Sequence, residues 1–117
     1  MTDSHEPPSE LPAQERDLHR ALLSLREELE AVDWYQQRVV LCGDDELASV
    51  LAHNRDEEIE HAAMTLEWLR RRVPAWDRCL RRFLFTEGPI SRQPPAPDAR
   101  VAAHGLGIGG LGGGRAP

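Results

Sequence analysis

Between Glu15 and Leu41 the apolar residues Leu18, Leu22, Leu25, Leu29 and Val32 recur at three- and four-residue spacing, with no Gly or Pro among them. That period belongs to one face of a helix and predicts a single long helix over residues 15–41. "CGDDE", Cys42 to Glu46, interrupts the pattern. Gly43 suits a helix C-cap, and the Asp residues after it suit the N-terminus of a second helix. That helix is predicted from about Asp45 to Val73, with Leu47, Val50, Leu51, Met64 and Trp68 among its apolar positions. Pro74 ends it or opens a short third helix, "PAWDRCLRRFLF", before Gly88 and Pro89 close the patterned region. No period-two alternation occurs anywhere. The fold class is therefore all-α: a two-helix antiparallel hairpin plus a short C-terminal helix.

Polar residues interrupt the apolar stripes at matching places. Glu28 lies on the stripe Leu25, Glu28, Val32, Tyr35, Val39. Glu58 and His61 lie on the stripe Leu51, Asn54, Glu58, His61, Thr65, Trp68. Glu28 is fifteen residues before Gly43 and Glu58 fifteen after it. In an antiparallel hairpin both fall at the same height, roughly 22 Å from the turn at 1.5 Å per residue. One Glu on the first helix then faces a Glu-x-x-His on the second. A buried carboxylate costs several kcal/mol unless paired or metal-bound. Arg55, the nearest basic residue, is expected on another side of its helix. Either these groups are exposed, or a cation neutralises them. Oxygen ligands with one imidazole suit iron or manganese better than zinc. A carboxylate-bridged di-metal bundle takes one Glu from each of two helices and a Glu-x-x-His from each of two more. This chain holds half of that set, and two chains about a two-fold axis would hold all of it.

Composition narrows the partners. The chain has 117 residues, but its first dozen hold three prolines and its last thirty or so are rich in Pro, Ala and Gly. About 75 residues remain for packed structure, a size at which metal or oligomerisation often supplements the core. The net charge of −6 argues against generic nucleic-acid binding. No apolar run approaches the roughly 18 residues of a membrane span. The N-terminus has no basic region followed by an apolar one, so no secretory signal is expected. Cys42 and Cys79 are far apart and fit neither a disulfide framework nor a Cys-x-x-Cys site, which favours a reducing cytoplasm. Arg70, Arg71, Arg72, Arg78, Arg81 and Arg82 form a basic end that suits a solvated face or inter-subunit salt bridges. His53 lies off the Glu58 stripe and is expected to be a packing or surface residue, not a ligand.

Three strings, "EELEAVDWYQQR" (Glu27 to Arg38), "LAHNRDEEIEHAAMTLEWLRR" (Leu51 to Arg71) and "FLFTEGPI" (Phe83 to Ile90), resemble the encapsulated ferritins, two-helix relatives of the ferritins. The resemblance implies a ferritin-like four-helix bundle formed by dimerisation, with a di-iron ferroxidase centre between two subunits. Its ligands match Glu28, Glu58 and His61. An outer metal-attracting site matches Glu27 and Glu30, and an aromatic pair beside the centre matches Trp34 and Tyr35. It further implies an open ring of subunits, typically a decamer, that oxidises Fe(II) without storing iron itself.

The C-terminal "LGIGGLGGGR" places Leu106, Ile108 and Leu111 on a Gly background, a pattern fitting a short peptide that docks in extended form. It looks like the peptide that targets cargo to the inside of an encapsulin nanocompartment. The expected organisation is a disordered segment over 1–13, a helical domain over 14–90, a flexible linker over 91–104 and a targeting peptide over 105–117. The function expected is an Fe(II)-oxidising ferroxidase, a cytoplasmic cargo of an encapsulin shell. The other readings are a di-metal peroxidase, disfavoured by the lack of a Cys-x-x-Cys iron site, and a structural helical-hairpin oligomer.

Overall fold

The structure is a computed structural model, and it describes residues 4–96. These residues form three α-helices, α1 (Ala13–Leu41), α2 (Asp45–Arg72) and α3 (Pro74–Phe83), with 3-10 turns at Pro8–Glu10 and Ile90–Arg92. No strand occurs among the described residues. The chain divides into two compact units, Met1–Leu69 and Arg70–Pro117.

Helix α1 starts two residues earlier than its apolar period indicates. Pro12 precedes it, and the Pro12 carbonyl accepts the amides of Glu15 and Arg16, so the first turn forms without an apolar residue. The Arg16 guanidinium donates to the carbonyls of Pro8 and Leu11, tying the N-terminal segment to this first turn. At its other end α1 closes on Cys42 in an extended conformation, φ −74° and ψ 125°. Gly43 does not take the left-handed conformation expected of a C-cap; among the described residues only Phe85 and Gly88 have positive φ. The chain leaves α1 extended, so the orphan carbonyls there are not closed by a left-handed cap.

Asp44 does what its position suggests. Its Oδ1 accepts the amide of Leu47 at 2.8 Å and its carbonyl accepts that of Ala48, while Asp45 and Glu46 place negative charge on the positive end of the α2 dipole. Helix α2 ends one residue before its expected limit because Val73 precedes Pro74 and is pushed to φ −122°, ψ 108°. Pro74 then begins α3, where its missing N–H costs nothing. Helix α3 stops at Phe83, not Phe85, since Leu84 is extended and Phe85 adopts φ 58°.

The seam of the hairpin follows the two predicted stripes. Leu18, Leu25, Glu28, Val32, Tyr35 and Val39 are half-buried along α1, as are Leu51, Asn54, Glu58, His61, Thr65 and Trp68 along α2. Yet Leu69 is the only fully buried hydrophobic among the described residues. A helix with one neighbour can cover only one strip of its surface. Leu22, Leu29, Val50, Ile59 and Met64 therefore stay exposed. So much uncovered apolar surface is unusual for a chain that works alone.

Candidate metal centre

Glu28 comes from the middle of α1, and Glu58 and His61 from the middle of α2, three positions apart and so on one face. Each offers one ligand atom, and these atoms all lie within 4.8 Å of one another. His61 Nδ1 stands 3.4 Å from Glu28 Oε2 and 3.8 Å from Glu58 Oε2. The side chains are 22% exposed at Glu28, 25% at Glu58 and 44% at His61. The cluster is thus shielded along the seam and open on the imidazole side. The His61 carbonyl also accepts the Thr65 hydroxyl at 3.1 Å.

The electrostatics are those of carboxylates held too close together. The Glu28 carboxyl is pushed above the ordinary range, first by its hydrogen bond with Glu58, then by burial and by the Glu58 charge; His61 opposes the rise. A group in this position favours a bound proton or a bound cation. The donor set tests which cation fits. Two carboxylates and one neutral imidazole are hard and borderline donors, suited to iron or manganese. Three protein donors leave positions on a six-coordinate ion for water or further ligands.

The other candidates are not part of this cluster. Glu27 and Glu30 are exposed on α1, away from the Glu28 stripe. Tyr35 is half-buried on the Glu28 stripe, with the Arg38 guanidinium 5.3 Å from its ring centre. Trp34 is exposed on the outer flank of α1 and lines a groove with Gln37, Arg38 and Leu41. His53 is at the surface, its Nε2 3.2 Å from Glu57 Oε1. Leu106, Ile108 and Leu111 lie outside the described residues.

Arg55 departs from its expected place. It reaches across the hairpin and donates to Gln36 Oε1 at 2.8 Å, while also pairing with Asp56 at 3.0 Å. Its long stem lets the head bridge two helices from the edge of the stripe. Sequence reading missed this clamp; the one available signal was a polar Gln36 and a basic Arg55 flanking facing stripes.

The family model EncFtn-like matches residues 3–87. A ferritin-like protein of Thermotoga maritima is 61% identical over 87 residues, covering 74% of this chain and 76% of the relative. An encapsulated ferritin-like protein of Rhodospirillum rubrum is 55% identical over 102 residues, covering 87% of this chain and 73% of that one. Among solved structures, a crystal structure of a Nitrosomonas europaea protein superposes with a TM-score of 0.75 at 60% identity, over 77% of this chain and 99% of that one. With a match spanning both helices of the hairpin and relatives this similar, the chain belongs to the EncFtn-like family.

Proposed function

We propose that this protein is a ferroxidase, oxidising Fe(II) at a di-iron centre completed when two copies face each other. The observation that carries the reading is the convergence of Glu28, Glu58 and His61 to within 4.8 Å. Two copies about a two-fold axis would supply four carboxylates and two imidazoles, the donor set of a carboxylate-bridged bundle. Iron supplies the one-electron Fe(II)/Fe(III) couple, with an oxidant as acceptor. The chain's residues do the rest. Glu28, Glu58 and His61 hold the ions, and the carboxylates offset charge in both oxidation states. Displacing the extra proton that Glu28 favours is part of loading the site. Glu27 and Glu30, exposed on α1, concentrate cations outside the centre by their field. Tyr35, on the ligand stripe, and its neighbour in sequence Trp34 are the aromatic pair of this reading.

The same proposal includes the destination of the iron. A relative at 55% identity is named encapsulated, which supports association of this chain with an encapsulin shell. Residues 105–117 are the segment proposed to dock there, through Leu106, Ile108 and Leu111, with residues 91–104 as tether to the helical domain of 14–90. Residues 1–13 are proposed to have no part in the chemistry. A ring of copies inside the shell, a decamer in the simplest case, would then oxidise iron that the compartment stores.

The test is aerobic addition of Fe(II), following the absorbance of Fe(III) products, with sedimentation in parallel. Wild-type protein should associate on binding iron and oxidise it. Glu58→Ala should lose iron affinity by about 100-fold or more, since even indirect supports of a ligand are worth about 10–100-fold. Normal oxidation by Glu58→Ala, or full activity in a monomer, would remove the shared-centre reading.

A further inference from the structure

Arg55 stands three residues before Glu58 on α2, with only 25% of its side chain exposed. Its guanidinium is held on two sides. Nε and Nη2 both donate to Asp56 Oδ1, at 3.1 and 3.0 Å, and Nη1 donates to Gln36 Oε1 on α1 at 2.8 Å. The direction of this reach follows from helix geometry. Side chains lean toward the N-terminus of their own helix, so those of α2 lean toward the turn and those of α1 away from it. Arg55 is twelve residues past Gly43, and Gln36 is seven before it. Their Cα atoms therefore differ in height by roughly 7 Å at about 1.5 Å per residue, a gap that the two opposed leans close. A surface ion pair with Asp56 alone would need no partner on α1.

The triad one turn away works against its own assembly. Glu28 and Glu58, each with a ligand atom within 4.8 Å of the other, repel as carboxylates and push α1 from α2. Packing does not fix the spacing there either. Leu69, the only fully buried hydrophobic among the described residues, is eleven residues beyond Glu58, roughly 16 Å along α2. The stripe residues at the height of the triad are only half-buried. A hydrogen bond fixes distance and direction where half-covered apolar contacts do not. The Arg55–Gln36 bond therefore sets how far α2 stands from α1 close to the ligands. Ligands held by such supports lose less freedom when an ion arrives.

We propose that Arg55 and Gln36 are positioning residues of the metal centre, their bond holding α1 and α2 at the separation that brings Glu28 to Glu58 and His61. This role rests on the reading given under Proposed function, that those three residues hold the ions; Arg55 and Gln36 touch none. Asp56 supports the clamp by fixing the guanidinium plane from the outer side. Charge and clamp act in opposite senses at Arg55. By its field alone a guanidinium near the centre repels an incoming cation, so its removal would strengthen metal binding. As a clamp, its removal weakens metal binding. The sign of the change in affinity decides between the two.

Mn(II) alone is the probe, titrated into the full chain at one fixed protein concentration and followed by the EPR signal of the free ion. Helix content and Tm in chelator are measured alongside. Arg55→Met and Gln36→Leu should each keep the helices and bind Mn(II) about tenfold more weakly, as loss of an indirect support of a ligand does. The double variant should be no weaker than the weaker single one, because both changes remove the same bond. Gln36→Glu keeps an acceptor for Nη1 and should bind Mn(II) at least as tightly as wild type. Should Arg55→Met fail to fold, Gln36→Leu at its exposed position carries the test. Unchanged binding by Gln36→Leu, tighter binding by Arg55→Met, or losses that add in the double variant would overturn the proposal. Glu58→Ala separates the two readings. If it binds Mn(II) as wild type does, the metal centre fails and the positioning role with it. If it loses the ion while Gln36→Leu keeps it, the centre stands and only the positioning role fails.

Discussion

His61 Nδ1 lies 3.4 Å from Glu28 Oε2, across the seam between two helices that are joined by a short turn at Cys42–Asp44. Glu58 completes the triangle at 3.8 Å from the same nitrogen. Three groups that could each have been solvated on separate helix faces instead share one space. The Glu28 carboxyl responds by rising above its ordinary range.

That rise has a consequence for stability without metal. A carboxyl whose folded value lies above its unfolded value contributes stability that is fully present below the unfolded pKa, about 4.3, and that is lost as pH climbs through the folded value. Glu28→Gln removes the titration and keeps the shape. In chelator, wild-type protein should therefore lose stability relative to Glu28→Gln as pH climbs above the unfolded value, read as a growing difference in Tm. With Fe(II) bound the order should reverse, because the cation favours the ionised carboxylate. A constant Tm difference across that pH range would show that Glu28 does not feel Glu58.

Asp77 behaves in the opposite sense. Its carboxyl is held below the ordinary range, chiefly by its hydrogen bonds with Arg81, whose Nε lies 2.9 and 3.0 Å from the two oxygens, with Arg70 adding to the effect against the cost of burial. Its contribution is present above the unfolded value, about 3.9, and is lost as pH falls through the lower folded value. Asp77→Asn should cost about 1 kcal/mol at neutral pH, and less as acid protonates the wild-type group. Thermal melts at pH 7 and pH 3 check this; an equal cost at both would remove the charge argument.

Glu27 and Glu30 are exposed and lie off the ligand stripe. Changing both to Ala should raise the Fe(II) concentration needed for half-maximal rate severalfold and leave the rate at saturating iron nearly intact. The effect should shrink with added salt, as a field effect does. A lost central site, measured as iron retained per chain after desalting, would make them ligands and not attractors.

Truncation after Arg100 removes Leu106, Ile108 and Leu111 along with seven glycines. Sedimentation and iron oxidation should stay as in the full chain, and co-purification with a co-expressed encapsulin shell should be lost. The converse fusion, residues 106–115 on an unrelated soluble protein, should co-purify with the shell. Loading of the truncated protein would move the address to the helical body.

Much of the hairpin was legible before any coordinates, because helix formation here is a local matter. The three- and four-residue spacing of Leu18, Leu25 and Val32 and the break at Cys42–Asp44 define two arms, and Asp44 caps the second as its side chain dictates. Equal distances from Gly43 to Glu28 and Glu58 then set both at one height, since rise per residue is constant along a helix. Other features depend on what lies nearby in space, and no spacing encodes that. The extended exit from α1 at Cys42, the reach of Arg55 to Gln36 and the raised Glu28 carboxyl all follow from the approach of one helix to the other. The left-handed Phe85 follows from a loop whose carbonyls Gln93 collects from a distance in sequence. Sequence alone determined which residues could meet, through periodicity and length. The tertiary structure decided how closely they meet and which apolar surface is left uncovered, because distance and burial are properties of packed neighbours.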